Sequence, residues 1–153
     1  MADLPPSPLA ALEADLRTLI ARAATLEKEK AAALDEGKTR TRRLLLEFIE
    51  VADTFETLFR QFEAEPAPAP ETAAWVANFR TLYKIHLRAL KRHGATPLPS
   101  PVGQKVDPHR HQVAEAVAAP GHPPETIIEQ LKPGWVWHDE LLRPAEVKAT
   151  PAG

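Results

Sequence analysis

Two histidines in the C-terminal third of the chain have the type and spacing that could hold a metal ion. His109 and His111 lie two positions apart in the segment "DPHRHQVAEAV". On a strand, residues two apart share one face, so both imidazoles could bind the same cation. Glu115 is the only further ligand candidate nearby, because His122 and His138 are distant in sequence. A capping or packing role for His111 is therefore favoured, and we expect no metal and no other cofactor.

The sequence has no pattern typical of a catalytic centre. It contains neither a Ser-His-Asp spacing signal nor a glycine-rich phosphate-binding loop. The chain has no cysteine, which excludes disulfides and cysteine-based zinc sites. Its 19 Lys and Arg residues against 21 Asp and Glu residues give a net charge of −2, without the basic excess of a nucleic-acid-binding protein. We predict a protein that is not an enzyme and does not bind nucleic acid.

The end of the chain, "KPGWVWHDELLRPAEVKAT", predicts a small β-hairpin. "WVWH" and "LLRPAEVKA" have the aromatic and β-branched content of strands, with Asp139 and Glu140 in the turn between them. Trp135 and Trp137 would share one face of the first strand, where a core position is favoured over contact with a partner. Arg143 either contacts a partner or forms a surface ion pair with Glu140 or Glu146.

Helices are predicted for most of the residues that precede this region. Ser7 is a candidate N-cap, and Pro8 suits the first helical position. The following apolar residues have the alternating three- and four-residue spacing of a coiled-coil seam. They are Leu9, Leu12, Leu16, Leu19, Ala23, Leu26 and Ala33. The segment 28–43 is polar almost all round, and Gly37 leaves open whether one helix continues through it.

A wider apolar face resumes further along the same stretch. It consists of Leu44, Leu45, Phe48, Ile49, Val51, Ala52, Phe55, Leu58, Phe59 and Phe62. If one helix ran from Leu9 to Phe62, it would be roughly 80 Å long. A helix of that length cannot fold back to bury its own seam, so the pattern favours pairing with a second copy of the chain.

The proline-rich segment 63–71 is predicted to be a linker. A further helix is expected from about Thr72 to His93, with Phe79 and Tyr83 on its apolar side and Gly94 as a left-handed cap. Beyond it, "ATPLPSPVGQKVDP" is expected to be a loop, and "ETIIEQL" a strand. "HQVAEAVAA" remains ambiguous between helix and strand.

The N-terminus "MADLPPSPLA" lacks the basic and apolar regions of a signal peptide. No apolar run approaches the roughly 20 residues that a membrane span requires. We therefore expect a cytoplasmic protein. The predicted fold class is α+β, with a disordered N-terminus over 1–8, a helical dimerisation region over 9–94, and a small β-domain over 95–153.

Four blocks of the sequence, in the same order, resemble the GrpE family of nucleotide exchange factors for DnaK-type chaperones. The family's "IYKQLLDVLEKFG" is similar to "LYKIHLRALKRHG", and its "DPxxHEAV" to "DPHRHQVAEAV". Its "TVVEELQKGY" is similar to "TIIEQLKPGW", and its "VLRPAMVKV" to "LLRPAEVKA". The resemblance extends over roughly residues 44–150. Its structural motif residues are Asp107, Pro108, His111, Gly134 and Pro144.

The resemblance implies a homodimer that acts in protein folding and the stress response. In this family, long helices pair, shorter helices complete a four-helix bundle, and one β-domain opens the nucleotide cleft of the chaperone ATPase so that ADP leaves. The implied chaperone-binding residues are Arg143, Glu140, Leu131, Trp135 and Val147. The implied dimerisation residues are Leu12, Leu16, Leu19, Leu26, Leu45, Phe48, Phe55, Phe59, Phe79 and Tyr83.

The chain departs from the family pattern at several positions. Glu140 replaces the arginine common in the hairpin turn, Glu146 replaces a methionine, and Pro133 replaces a lysine. An opposite charge at position 140 removes or inverts an ion pair with the partner. These differences keep a second hypothesis open, in which the protein is a dimeric coiled-coil adaptor of the same shape with weak or lost exchange activity.

Overall fold

The computed structural model of the chain describes residues 8–66 and 69–152. Helix α1 spans Pro8–Glu63 and helix α2 spans Pro70–Arg92. Six strands follow: β1 (Ala95–Pro97), β2 (His111–Ala116), β3 (Ile127–Lys132), β4 (Trp135–Trp137), β5 (Glu140–Arg143) and β6 (Ala145–Ala149). The predicted α+β class, with long helices before a small β region, is confirmed.

Helix α1 continues through Gly37, which settles the question that the sequence left open. The hydroxyl of Thr41 donates a hydrogen bond to the Gly37 carbonyl at 2.9 Å within the same helix. Most of the segment predicted to be disordered, residues 1–7, lies outside the described residues, and Pro8 is the first residue of α1. Residues 67 and 68 of the predicted linker lie outside them too.

The chain divides into two compact units, residues 1–41 and 42–153. In the first unit, every residue from 8 to 41 is exposed. Its seam leucines are no exception, with exposed fractions between 56% at Leu16 and 74% at Leu9. Without a covered apolar face, a helix relies on its own backbone hydrogen bonds and propensity, which are marginal in water.

The main core lies in the second unit, where α1, α2 and the first sheet supply buried side chains. The core cluster comprises Leu45, Ile49, Ala52, Leu90, Ala95, Trp135 and Leu142. The three α1 members recur at spacings of four and three, so one stripe of that helix is buried. A second, smaller cluster of Ile127, Ala145 and Val147 lies within the β region, with Val106 packed against it.

The strands form two three-stranded sheets. The first has the order β1-β4-β5 and is antiparallel throughout. The second has the order β2-β6-β3, with β2 parallel to β6 and β3 antiparallel to it. The ambiguous segment "HQVAEAVAA" therefore contributes a strand. The loop predicted from Ala95 onward is wrong over its first three residues, because β1 pairs with β4.

Pro144 divides the segment that was predicted to be one strand. "LLRPAEVKA" forms the end of β5 and all of β6, which belong to different sheets. Proline has no backbone N–H, so it cannot continue a ladder of strand hydrogen bonds. The next N–H group, that of Ala145, donates instead to the carbonyl of Arg110 at 2.9 Å.

Gly94 joins α2 to β1 and has a φ of 81°, in the left-handed region that glycine adopts most readily. A Cβ atom at this position would lie 2.5 Å from the imidazole ring of His138. The predicted left-handed helix cap is therefore present. It also allows close approach of the hairpin turn to the end of α2.

We expect Gly94→Ala to lower the free energy of unfolding by about 2 kcal/mol or more, from a left-handed alanine and from the collision with His138. Gly103→Ala is the matched control. Gly103 has a similar φ of 82°, but a Cβ atom at this position would have no neighbouring atom within 4 Å. The control should lose only about 1–2 kcal/mol. Urea unfolding of both variants measures the difference, and equal losses would contradict a steric role for His138.

Candidate functional site

The β4–β5 hairpin is fixed to the end of α2. The indole Nε1–H of Trp137 donates to the His93 carbonyl at 3.1 Å, and the backbone N–H of His138 donates to the Gly94 carbonyl at 2.9 Å. These contacts use carbonyl groups at a helix end, which lack partners within the helix. Glu140, predicted in the turn, is the first residue of β5 and is exposed. The hairpin therefore has one end held by α2.

Arg143, at the end of β5, is held by α1. Its guanidinium donates to both carboxylate oxygens of Asp53, at 2.5 and 2.9 Å, and Nη2 also donates to the Pro133 carbonyl at 2.9 Å. The ion pair was predicted with Glu140 or Glu146, and the structure places it on Asp53 instead. A bidentate Arg–carboxylate pair fixes orientation as well as distance.

Arg42 makes a second polar contact between α1 and β5. Its Nη2 atom donates to the carbonyls of Leu141 and Leu142, at 2.9 and 2.8 Å. Strand β5 is at the edge of its sheet. Arg42 thus connects α1 to the backbone of this edge strand.

Sequence reasoning missed both Arg42 and Asp53. They lie eleven positions apart, close to three full turns, so they share one face of α1 with Leu45, Ile49 and Ala52 between them. A charged residue at each end of a buried apolar stripe was the available signal. It could not have shown which strand the stripe would cover.

The remaining predicted chaperone-binding residues have different environments. Trp135 and Val147 are 1% and 0% exposed and belong to the two cores, so their side chains present no surface to a partner in this structure. Leu131 is half-buried, and Glu140 is exposed. Contact of this set with a partner stays a prediction.

An open groove of about 640 Å³ separates α1 from the β region near the Arg143–Asp53 pair. Glu50, Thr54 and Thr57 line it from α1, and Lys132 from β3. This lining combines both charge signs with hydroxyl groups. The hydroxyls of Thr54 and Thr57 donate to the backbone carbonyls of Glu50 and Asp53, each at 2.9 Å.

The predicted dimerisation residues differ in how far the single chain buries them. Leu12, Leu16, Leu19, Leu26 and Phe48 are exposed, whereas Leu45 and Phe59 are buried. Phe55, Phe79 and Tyr83 are half-buried in an aromatic cluster with Phe59, at ring separations of 5.5–6.4 Å. This cluster joins α1 to α2 within one chain.

Tyr83 also makes a polar contact between the two helices. Its hydroxyl donates to the Glu56 carboxylate at 2.5 Å. Burial first, and then the hydrogen bond and negative charge of Glu56, raise the pKa of Tyr83 above its usual value. The phenol is therefore protonated and acts as a hydrogen-bond donor at neutral pH.

The two histidines do not share one strand face, because His109 lies in a turn and His111 begins β2. His111 is the first residue of β2, and its Nδ1 accepts the backbone N–H of Asp107 at 2.9 Å, while the Asp107 carboxylate accepts the N–H of His109 at 2.9 Å. His111 thus has the capping role that the sequence favoured. Within residues 8–66 and 69–152, no three His, Cys, Asp or Glu side chains form a cluster able to hold a metal. No helix of the same ranges has the length and apolar character to cross a membrane.

Close packing explains two further motif residues, Gly134 and Pro144. A Cβ atom on Gly134 would lie 2.9 Å from the backbone nitrogen of Ala145. The chain therefore passes closely over the β5–β6 junction that Pro144 creates. Only glycine fits at that approach without a shift of the backbone.

The sequence of the chain matches a known protein family. The sequence model of the GrpE family matches residues 8–150, which is nearly the whole chain. The chain belongs to the GrpE family. The residues that carry the resemblance, including Asp107, His111, Gly134 and Pro144, all lie within the match.

Individual GrpE proteins support the same assignment. The chain is 31% identical to Protein GrpE of Allorhizobium ampelinum over 161 aligned residues, covering 96% of this chain and 76% of that protein. It is 27% identical to Protein GrpE of Methanosarcina acetivorans over 79% of this chain and 56% of that protein. For Protein GrpE of Parageobacillus thermoglucosidasius the values are 31%, 74% and 48%. The chain thus spans about half the length of two of these GrpE relatives.

Proposed function

We propose that this protein is a homodimeric co-chaperone that binds the ATPase domain of a DnaK-type chaperone and accelerates the release of ADP. The observation that carries this proposal is the match to the GrpE family over residues 8–150. The role requires no chemistry from the protein, only a preference for one conformation of its partner. We place the protein in the cytoplasm, as its sequence predicts.

Exchange by such a protein is a matter of linked binding equilibria. A partner that binds the open ATPase cleft more tightly than the closed one lowers the affinity for ADP, and ADP lowers the affinity for the partner equally. A coupling of about 1–3 kcal/mol corresponds to roughly 5–150-fold. The contact surface must be rigid, because a surface that yields does not hold the cleft open.

The β4–β5 hairpin suits this requirement. It is bonded to α2 through Trp137 and to α1 through Arg143 and the carbonyls that Arg42 contacts. We propose that Glu140 and Leu131 contact the ATPase domain. Trp135 and Val147 belong to the two cores of the same unit.

The homodimer is supported by apolar surface that the single chain leaves uncovered. Leu44, Val51 and Leu58 recur every seven residues along α1, with exposed fractions of 51%, 45% and 37%. Trp75 and Leu82 recur with the same spacing on α2, at 64% and 52%. A seven-residue apolar repeat is typical of helices that pack against other helices.

A second candidate function is a dimeric adaptor without exchange activity. Glu140 favours it, because an acidic side chain stands where the family commonly has an arginine. Glu146 also departs from the family pattern, and it forms an ion pair with Lys132 at 3.3 Å. The two functions differ in their response to nucleotide.

The test uses the full-length protein and the DnaK-type chaperone of the same organism, loaded with the fluorescent analogue mant-ADP. An exchange factor accelerates fluorophore release and is displaced from the immobilised chaperone by added ADP. An adaptor binds equally with and without ADP and leaves the release rate unchanged. No binding in either condition would overturn both candidates.

A further inference from the structure

The contacts between α1 and β5 point to residues that position the hairpin, and this inference rests on the proposed exchange function. Helix α1 contributes a buried apolar stripe of Leu45, Ile49 and Ala52 to the core. Arg42 lies at the N-terminal end of the stripe and Asp53 at its C-terminal end. The two charged residues are about 16 Å apart along the helix axis.

Strand β5 has groups that complement these two ends. The side chain of Leu142 is 5% exposed and joins the same core as the α1 stripe. Its carbonyl and that of Leu141 accept hydrogen bonds from Arg42, and Arg143 donates to Asp53. An apolar contact alone lets a strand slide or rotate over a helix, because the hydrophobic effect is not directional. Polar contacts at both ends fix the crossing angle and the register.

The Asp53–Arg143 pair is well placed for this purpose because water reaches little of it. The side chains of Asp53 and Arg143 are 14% and 21% exposed, whereas those of the Lys148 pairs with Glu115 and Glu129 on the second sheet are 29–56% exposed. Arg143 also donates to the Pro133 carbonyl, in the turn between β3 and β4. The pair therefore connects α1 to both sheets of the β region.

We propose that Arg42 and Asp53 are positioning residues for nucleotide exchange. Together with Arg143 they form a polar clamp that fixes the β region on α1, so that binding of the partner opens its cleft instead of displacing the hairpin. Neither Arg42 nor Asp53 needs to contact the chaperone. Their loss should lower the maximal rate of ADP release more than the affinity for the chaperone.

The test measures mant-ADP release across a concentration series of the full-length protein, which separates the maximal rate from the half-saturating concentration. For Asp53→Ala and Arg42→Ala we expect a maximal rate about tenfold lower, within the usual range of coupling, and a half-saturating concentration within about threefold of wild type. Asp53→Glu keeps the carboxylate and should recover most of the rate. Asp53→Asn keeps the shape of the side chain without its charge, and it replaces Asp53→Ala in the test if that variant does not fold.

Glu115→Gln is the matched control. Glu115 is an exposed carboxylate that pairs with Lys148 at 3.2 Å on the second sheet, without contact to α1. This variant should exchange ADP as wild type does. Arg143→Ala should lower the maximal rate at least as far as Asp53→Ala, because it also removes the hydrogen bond to Pro133. The double variant should be no worse than Arg143→Ala, because the contact between the two side chains is already lost.

The outcomes distinguish this inference from the proposed function. If wild type accelerates release and both Asp53→Ala and Arg42→Ala keep its maximal rate, the clamp is refuted while the exchange function stands. A fall in affinity at an unchanged maximal rate would also refute it, since that result belongs to residues that contact the chaperone. If wild type fails to accelerate release, the proposed function is itself wrong, and Arg42 and Asp53 have no role in exchange.

Discussion

Replacing Trp135 with alanine should lower the free energy of unfolding of the 42–153 unit by about 3–5 kcal/mol. The side chain is 1% exposed and is the largest in a core that also includes Ile49 of α1, Leu90 of α2 and Leu142 of β5. Its removal leaves a cavity where three elements meet, and rigid helices collapse into such a space only partly. Amide hydrogen exchange in β4 and β5 measures the loss directly.

Trp135→Phe separates the loss of volume from the loss of polarity. The indole Nε1 atom is buried and finds no acceptor within the described part of the chain. Burying an unpaired N–H is unfavourable by about 1–3 kcal/mol, and phenylalanine removes that group. The two effects oppose each other, so we expect a net loss of about 1 kcal/mol. A loss as large as that of Trp135→Ala would mean that Nε1 has a partner, such as an ordered water molecule.

The helices and most strands could be predicted because their signals are local. The helix expected from about Thr72 to His93, with its cap at Gly94, matches α2 to within two residues at each end. The apolar repeats predicted helix on both sides of Gly37, but not that α1 continues through it. Aromatic and β-branched runs located β3, β4 and β5. Each of these features depends on residues a few positions apart, which a single sequence displays.

The contacts that fix the hairpin could not be predicted in the same way. Arg143 and Asp53 are 90 positions apart, and Arg42 is 99 positions from Leu141. No periodicity links residues at such separations. The sequence offered Glu140 and Glu146 as partners of Arg143 because they are near in the chain, whereas β5 and β6 diverge into different sheets at Pro144.

The short β1 strand was missed for a related reason. "ATP" begins a proline-rich segment whose composition indicates a loop. Its first three residues nevertheless pair with β4, because the Gly94 cap turns the chain directly onto the hairpin. Pro97 ends the strand. Tertiary placement thus overrode local composition at the one junction that joins the helical and β parts of the unit.

Placing an aspartate at Leu82 should weaken self-association of the protein at least about 100-fold. Leu82 is 52% exposed in the single chain, so the substitution costs the isolated protomer little. In the proposed homodimer a second copy covers this face of α2, and burial of an unpaired carboxylate is unfavourable by several kcal/mol. Each 1.4 kcal/mol corresponds to a tenfold change in the dissociation constant. Sedimentation velocity across a concentration series measures it.

Lys84→Asp is the matched control for Leu82→Asp. Both substitutions introduce the same side chain into α2, and both positions are exposed in the single chain. Two positions correspond to about 200° around a helix, so Lys84 faces away from the proposed interface. The control should therefore sediment as wild type does. If both variants stay dimeric, the chains pair through another surface, and the exposed seam of residues 9–26 becomes the next place to introduce a charge.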